Sequence, residues 1–389
     1  MFTPARLAIA RKRRGLTITC LAERVGITAQ SLSNAECGRQ VPSEATLRSI
    51  SEVLNFPQSF FLAPEPIEIE AGQVSFRARS KTSARARDAV LSAATLPVEL
   101  YTWIDHRFEL PKTDIPTIEQ RMTPEIAAAH VRARWGIDHR AGISNVVHLL
   151  EAHGVAVYSL PPEYADVDAC SFWIDGQPFV LLNPLKNAER GRFDGAHELG
   201  HLVMHGRYGC HADSRIQEKE ANAFASAFLM PEESVRSAIQ VSPTTDEIIR
   251  YKKRWRVSAL ALTYRLHELD IISDWGYRRA IIDLGKMGFR SNEPGGIPRE
   301  QSHILQKVLS SLRSNGTSFR RLSAELRVYP SELNEIMFNL AVVPVSGQLA
   351  VPPRQETPIR GTALKALPGM DSSIRAVKLA PSREERETV

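Results

Sequence analysis

A mainly helical α+β fold is predicted from three patterns in the sequence. Residues 1–63 contain short apolar segments at helical spacing, several of them preceded by a capping residue. Residues 155–182 contain short runs of β-branched and aromatic residues, which are typical of strands. A helical segment with two histidines four positions apart comes next. We therefore expect an N-terminal five-helix domain, a domain with a small sheet and a histidine-bearing helix, and a helical C-terminal region.

The composition is that of a protein with real hydrophobic cores. The chain has 389 residues, 43% of them hydrophobic, which suits two or three domains. No uncharged stretch approaches the ~20 residues that span a bilayer, and Arg11 to Arg14 lie where a signal peptide needs its apolar core. The four cysteines form no C-x-x-C pair, which is typical of a reducing compartment. We expect a cytoplasmic protein without a membrane partner.

The first 63 residues have capping and turn residues at the spacing of a helix-turn-helix domain. Thr17 is placed to cap a second helix, Gly26 to make the turn, and Thr28 to cap a third helix. Pro42-Ser43 opens a fourth helix and Pro57 a fifth. The third helix is the expected recognition helix, with Leu32 and Ala35 facing the core.

The outward face of that third helix has the residue types that read DNA. Gln and Asn pair with adenine edges, and Ser bonds to base edges or phosphates. Double-stranded DNA is therefore the expected partner, and a helix-turn-helix used only for protein dimerisation is the alternative. A homodimer is compatible with both. The predicted DNA contacts are Thr28, Gln30, Ser31, Asn34 and Arg39.

Positive charge is concentrated in two stretches of the chain. The net charge is +5, with an isoelectric point near 9.0. Met1 to Ala22 and Ala71 to Arg87 each contain five basic residues and no acid. Clustered positive charge predicts contact with a phosphate backbone. For the second cluster, a solvated face is the alternative.

The sequence predicts a connector at residues 64–120 and a second domain after it. Pro64 and Pro66 break the chain, and Asp88 to Phe108 form one amphipathic helix apart from Pro97. Two helices then end near Trp135 and His153. Strands are predicted at Val155–Tyr158, Ala169–Ile174 and Pro178–Leu182. An edge strand of this sheet would hold an extended peptide by strand addition.

The sequence His197-Glu198-x-x-His201 is the strongest chemical signal in the chain. Residues four apart lie on one helix face, so both imidazoles can bind one metal ion, and Glu198 beside them can activate a water molecule. With 11 histidines in 389 residues, the motif is expected by chance roughly 0.02 times. Two surface histidines on an ordinary helix are the alternative.

A second apolar helix, Ser214 to Met230, offers a third ligand. Glu218 and Asn222 are four apart on it, so Glu218 would complete a site of two histidines and one carboxylate, and Asn222 would orient one of the ligands. The alternative is that Glu218 and Glu220 are ordinary solvated charges.

These motifs carry a family resemblance. The runs RFDGAHELGHLVMH and EKEANAFASAFLMP resemble the ImmA/IrrE family of zinc metallopeptidases, with a gluzincin-like fold. The beginning of the chain, including the S-x-x-E-x-G-R run of Ser33 to Arg39, resembles an XRE-type DNA-binding domain. Together they resemble fused helix-turn-helix and peptidase proteins, and the likeness covers roughly the first three quarters of the chain.

The resemblance implies a role for each matched residue. It implies His197 and His201 as zinc ligands, Glu198 as the catalytic base and Glu218 as the third ligand within E-x-x-A-N. Glu220 is the alternative to Glu218 as the third ligand. His205 is a further candidate ligand, ranked below Glu218. Zn²⁺ is the expected cofactor, with Mn²⁺ as an alternative.

Five segments follow from these patterns. They are residues 1–63 for the XRE-type domain, 64–120 for the connector, 121–275 for the ImmA/IrrE-like zinc peptidase domain, 276–343 for a helical C-terminal domain, and 344–389 for a disordered tail. Ser318 to Asn339 has a helix-turn-helix rhythm, which indicates either a packing domain or a second DNA-contacting module.

Two functions are consistent with the sequence. The first is a DNA-binding transcriptional regulator that acts in a stress response. Its zinc-dependent endopeptidase domain cleaves an XRE-type repressor or its own chain. The second is a transcription factor whose peptidase-like domain is a sensor or docking module without significant proteolysis.

Overall fold

The computed structural model describes residues 1–69, 74–78, 84–116, 118, 122–206, 214–290 and 292–341. Within them the chain is mainly helical, with one small four-stranded sheet. This confirms the predicted fold class. Parts of the second basic cluster, Cys210 and the predicted tail 344–389 lie outside the described residues.

The N-terminal domain consists of four α-helices and a short 3₁₀ helix, Gln58–Leu62. The predicted caps at Thr17 and Thr28 accept hydrogen bonds from the backbone of their helices, and Gly26 ends the second helix with a φ of 78°. The predicted fifth helix is therefore a 3₁₀ helix. The four α-helices are α1 (Pro4–Arg13), α2 (Ile18–Val25), α3 (Ala29–Glu36) and α4 (Glu44–Leu54).

The connector packs against both the N-terminal domain and the second domain. Its first element is a strand, β1 (Val74–Ala78), which the sequence patterns did not predict. A long helix, α5 (Ala84–Asp105), follows and continues through Pro97. Helix α5 packs on α1, where the Arg13 guanidinium donates to the Ala93 carbonyl at 3.0 Å.

The sheet contains β1 and three further strands, β2 (Ala156–Ser159), β3 (Val167–Ile174) and β4 (Gln177–Leu182), in the order β1-β3-β4-β2. Strand β3 is antiparallel to both of its neighbours, whereas β2 is parallel to β4. Asp175 and Gly176 join β3 to β4 with φ values of 48° and 82°, as a tight hairpin requires. The three predicted strands lie within two residues of β2, β3 and β4.

Two helices form the centre of the second domain. Helix α8 (Ala188–Gly200) packs against β3 and α9 (Ser214–Leu229), and it continues into a π-helical turn, His201–His205. The contact with α9 is close at Gly200, where a Cβ atom would lie 3.1 to 3.2 Å from Phe224. The helices between α5 and β2 are α6 (Pro124–Arg134) and α7 (Val146–Ala152).

The remaining helices return the chain to the N-terminal domain. They are α10 (Glu232–Ala238), α11 (Thr245–Trp255), α12 (Ala259–Glu268), α13 (Asp274–Lys286), α14 (His303–Ser314), α15 (Phe319–Glu325) and α16 (Pro330–Ile336). Helix α13 runs across the boundary that we predict between residues 275 and 276. Helix α16 places Glu332 against Arg13 and Arg14 of the first domain. In the described part of the chain, no helix has both the length and the apolar character to cross a membrane.

Candidate metal centre and DNA-binding face

His197, His201 and Glu218 meet between α8 and α9. The Nε2 atoms of the two histidines are 3.0 Å apart, and the Glu218 carboxylate oxygens lie 3.2 Å from His201 Nε2 and 3.5 Å from His197 Nε2. Ligand atoms around a tetrahedral zinc ion with bonds near 2.0 Å are about 3.3 Å apart. The three residues therefore have the spacing and the donor atoms of a zinc site, and they are the one such cluster among the described residues.

Asn222 orients the first histidine. Its side-chain amide donates to the Glu218 carbonyl at 2.7 Å, which directs Asn222 Oδ1 toward His197 Nδ1 at 3.2 Å. Since this oxygen only accepts, His197 carries its proton on Nδ1 and keeps the Nε2 lone pair for the site. The predicted positioning role of Asn222 is consistent with this contact.

His205 and Glu220 form a separate pair next to the second histidine. His205 Nδ1 lies 2.9 Å from His201 Nδ1, and His205 Nε2 lies 3.0 Å from the Glu220 carboxylate. Burial lowers the pKa of His205, and contact with Glu220 offsets this only in part. A neutral His205 then donates from Nε2 to Glu220 and accepts from His201 Nδ1. The structure thus places Glu218 at the histidine pair, whereas Glu220 contacts the pair only through His205.

The Glu218 side chain is suited to a cation. Burial by itself raises the pKa of this carboxyl, but hydrogen bonds and charge interactions with His197 and His201 outweigh burial when both imidazoles are protonated and donate from Nε2. A bound cation would take the place of these Nε2 protons. The pKa of Glu218 therefore lies well below its usual range. The side chain is ionised, which is the form that binds metal.

Glu198 follows His197 on α8 and is fully buried. The Ser171 hydroxyl of β3 donates to Glu198 Oε2 at 2.6 Å and fixes the orientation of the carboxylate. Ser171 is not among the site residues that the sequence predicts. The sequence shows only a hydroxyl residue within an apolar strand. The packing of β3 on α8 then brings this hydroxyl to the Glu198 carboxylate.

The predicted DNA contacts lie on the outer side of α3, while Leu32 and Ala35 are buried as expected. Three of the predicted side chains are exposed, namely Thr28, Gln30 and Arg39, whereas Ser31 and Asn34 are half-buried. Local hydrogen bonds arrange this face. The Gln30 amide donates to Asn34 Oδ1 at 3.0 Å, and the Thr28 and Ser31 hydroxyls are 2.9 Å apart.

Most of the first basic cluster serves packing. Four of its five basic residues form ion pairs with acids of the protein: Arg6 with Glu99, Arg11 with Glu36, and Arg13 and Arg14 with Glu332. The bidentate Arg11–Glu36 pair joins α1 to α3, so the Glu of the S-x-x-E-x-G-R run has a structural contact. The interpretation of these four charges as a phosphate-binding surface is therefore wrong for this conformation, because their partners are within the protein.

Comparison with known proteins identifies the two domains. Residues 5–59 match the helix-turn-helix domain family, and residues 150–267 match the IrrE N-terminal-like domain of a peptidase family. The chain is also similar to the radiation response metalloprotease IrrE of Deinococcus radiodurans, with 30% identity over 155 residues. That similarity covers 37% of this chain and spans 44% of the length of the relative. The chain therefore joins an N-terminal helix-turn-helix domain to an IrrE-like domain of a metallopeptidase family.

Proposed function

We propose that the protein is a DNA-binding transcriptional regulator with a zinc-dependent endopeptidase domain. The observation that carries this proposal is the convergence of His197, His201 and Glu218 beside the buried Glu198 carboxylate. An IrrE-like domain with these residues in place is consistent with hydrolysis of a peptide bond.

Each residue of the centre then has a distinct task. His197, His201 and Glu218 hold a divalent ion, with zinc favoured by the two imidazoles and Mn²⁺ as an alternative. When bound, the ion supplies Lewis-acid polarisation of a peptide carbonyl and of the attacking water. Glu198 accepts the proton that the water loses and delivers it to the leaving amine, and Ser171 holds the carboxylate in position for this transfer.

The helix-turn-helix domain brings this chemistry to DNA. Helix α3 enters the major groove with Gln30, Ser31 and Asn34, while Thr28 and Arg39 contact the backbone at its ends. The substrate is an XRE-type repressor or this chain itself, and the protein acts in the cytoplasm in a stress response. Both copies of a homodimer would bind the two halves of an operator.

A regulator without significant proteolysis is the second candidate. The burial of part of the site favours it, since His197 and Glu198 have no solvent-exposed surface in this conformation. A metal centre of this kind would then sense an ion or dock a partner.

The deciding experiment uses Glu198→Gln, which leaves the three proposed metal ligands intact. Purified wild type and variant are incubated with zinc or manganese and with co-encoded XRE-type repressors, and fragments are mapped by mass spectrometry. We expect equal metal content and at least a ~10²-fold loss of cleavage in the variant. Glu232→Gln, on the exposed start of α10, is the matched control and should cleave normally. DNA binding without any metal-dependent and Glu198-dependent fragment would favour the second candidate.

A further inference from the structure

Strand β1 lies on the outer edge of β3 and comes from a distant part of the chain. It pairs antiparallel to β3, with Val74 opposite Phe172 and Ser75 opposite Ser171. The paired residues are far apart in the sequence. The connector therefore reaches across to the second domain and adds a strand to its sheet. Without β1, strand β3 would be an edge strand with exposed backbone groups.

The edge that β1 covers is the one at the candidate metal centre. Ser171 is the residue of β3 whose hydroxyl contacts Glu198, and Ser75 is paired with it. Directly opposite residues of an antiparallel pair direct their side chains to the same face of the sheet. Ser75 therefore faces α8 as Ser171 does, and α8 contacts β1 as well as β3. Strand β1 thus lies directly beside the residue of β3 that contacts Glu198.

A protein substrate would need this same position. An extended peptide binds to a sheet by pairing with an unoccupied edge. The opposite edge, β2, is fully buried and contacts α7 and α16, and β4 separates it from β3. A peptide paired with the outer edge of β1 would lie one strand spacing, about 4.8 Å, farther from Ser171 and Glu198 than a peptide paired with β3. The outer side of β3 is therefore the position nearest Glu198, and β1 already occupies it.

We propose that Val74–Ala78 is an internal occupant of the peptide-binding edge, and that the site accepts another peptide only after this segment leaves. The inference rests on the proposed peptidase function and adds its regulation. When the binding-competent form is a minor population of 0.1–10%, the apparent affinity for a peptide falls about tenfold or more.

Two ligands distinguish binding at the metal centre from binding at the outer side of β3. Acetohydroxamic acid needs only the metal ion, whereas a tetrapeptide ending in a hydroxamate needs both the ion and the outer side of β3. Their dissociation constants are measured on the zinc-loaded full-length protein. We expect variants with a weakened β1 to bind the peptide hydroxamate about tenfold more tightly than wild type and to bind acetohydroxamic acid equally well.

Ser75→Pro and Phe76→Pro are the variants that weaken β1. Neighbouring amide groups of a strand point to opposite sides, so one of these prolines removes a hydrogen bond to β3 and the other does not. Only one of the two should therefore show the full effect. Ser75→Gly is a milder change in case the prolines impair folding, and Ser75→Thr, which keeps strand propensity and the hydroxyl, should behave as wild type.

Hydrogen exchange of the metal-free protein provides a readout that does not depend on the ion. Amides of Ala169 to Phe172 that face β1 should be protected in wild type and should exchange at least about tenfold faster in the effective proline variant. Equal peptide-hydroxamate affinities in wild type and all weakened variants, with acetohydroxamic acid binding throughout, would overturn the inference. Failure of acetohydroxamic acid to bind any of the proteins would instead count against the proposed function, while the exchange data still test whether β1 is displaceable.

Discussion

Helix α3 presents its candidate residues at the surface, whereas the candidate metal centre buries His197, Glu198 and almost all of His201. The hydrogen bonds on the α3 face join residues at most four positions apart. At the metal centre, hydrogen bonds also join β3 to α8 and α8 to α9, between residues more than 20 positions apart. A surface built from local contacts can change its binding without changing the fold. A buried centre built from distant segments ties its chemistry to the packing of the whole domain.

The largest effect is expected from removing a histidine of the centre. His201→Ala should abolish stoichiometric binding of a divalent ion, because the described part of the chain brings only three ligand residues together. Metal content is measured by mass spectrometry of purified protein. Gln30→Ala on α3 is the matched control from the other region and should keep its metal. Equal metal content in wild type and His201→Ala would rule out the proposed zinc site.

The next effect separates the two glutamates of α9. Glu218→Gln should weaken metal binding at least about tenfold more than Glu220→Gln, because only Glu218 contacts both histidines directly. Glu220→Gln disturbs the histidine pair only through His205. Competition with a chromogenic chelator gives both affinities. The reverse ranking would transfer the proposed ligand role to Glu220.

A smaller effect is expected on DNA binding, and it should leave the metal centre unchanged. Gln30→Ala should cost about 1–3 kcal/mol on a preferred operator and little on other sequences, since this side chain is placed to read a base. Arg39→Ala should weaken binding to all sequences and reduce the salt dependence, as expected for a phosphate contact. Fluorescence anisotropy at several salt concentrations distinguishes the two. A uniform loss for Gln30→Ala would contradict its base-reading role.

The two regions also differ in how far their sequence predicts them. The helices of the first domain are marked by local signals, such as the caps at Thr17 and Thr28 and the turn at Gly26, and they lie where we expect them. The His197-Glu198-x-x-His201 helix is equally recognisable. Strand β1 could not be predicted, because a strand of five residues exists there only through its pairing with β3.

Other features that the sequence does not predict depend in the same way on distant parts of the chain. The contact of Ser171 with Glu198 depends on how β3 packs on α8, and the ion pairs of Arg13 and Arg14 depend on the return of α16. Basic residues near an expected DNA-binding helix indicate a phosphate surface when the sequence alone is read. The acidic partner at Glu332 is more than 300 positions away, and local patterns carry no information about it.

Two glycine substitutions provide the finest comparison of the regions, since both should cost about 1 kcal/mol of stability for different reasons. Gly26→Ala places a side chain at a φ of 78°, which is strained although no atom lies within 4 Å of the new Cβ. Gly200→Ala gains helix propensity, but its Cβ would meet Phe224, which is fully buried and stacked on Phe228 and so has little room to move.

The two variants should then differ in function. Displacing Phe224 moves α9 relative to α8 and separates Glu218 from the histidines, so Gly200→Ala should weaken zinc binding by about tenfold, as loss of a positioning contact does. Gly26→Ala should bind zinc as wild type does, because its strain is confined to the turn before α3. Urea unfolding gives the two stabilities and chelator competition gives the two affinities. If Gly200→Ala lost stability without losing zinc affinity, the packing of α8 on α9 would not position the centre, and the buried region would tolerate change as the surface of α3 does.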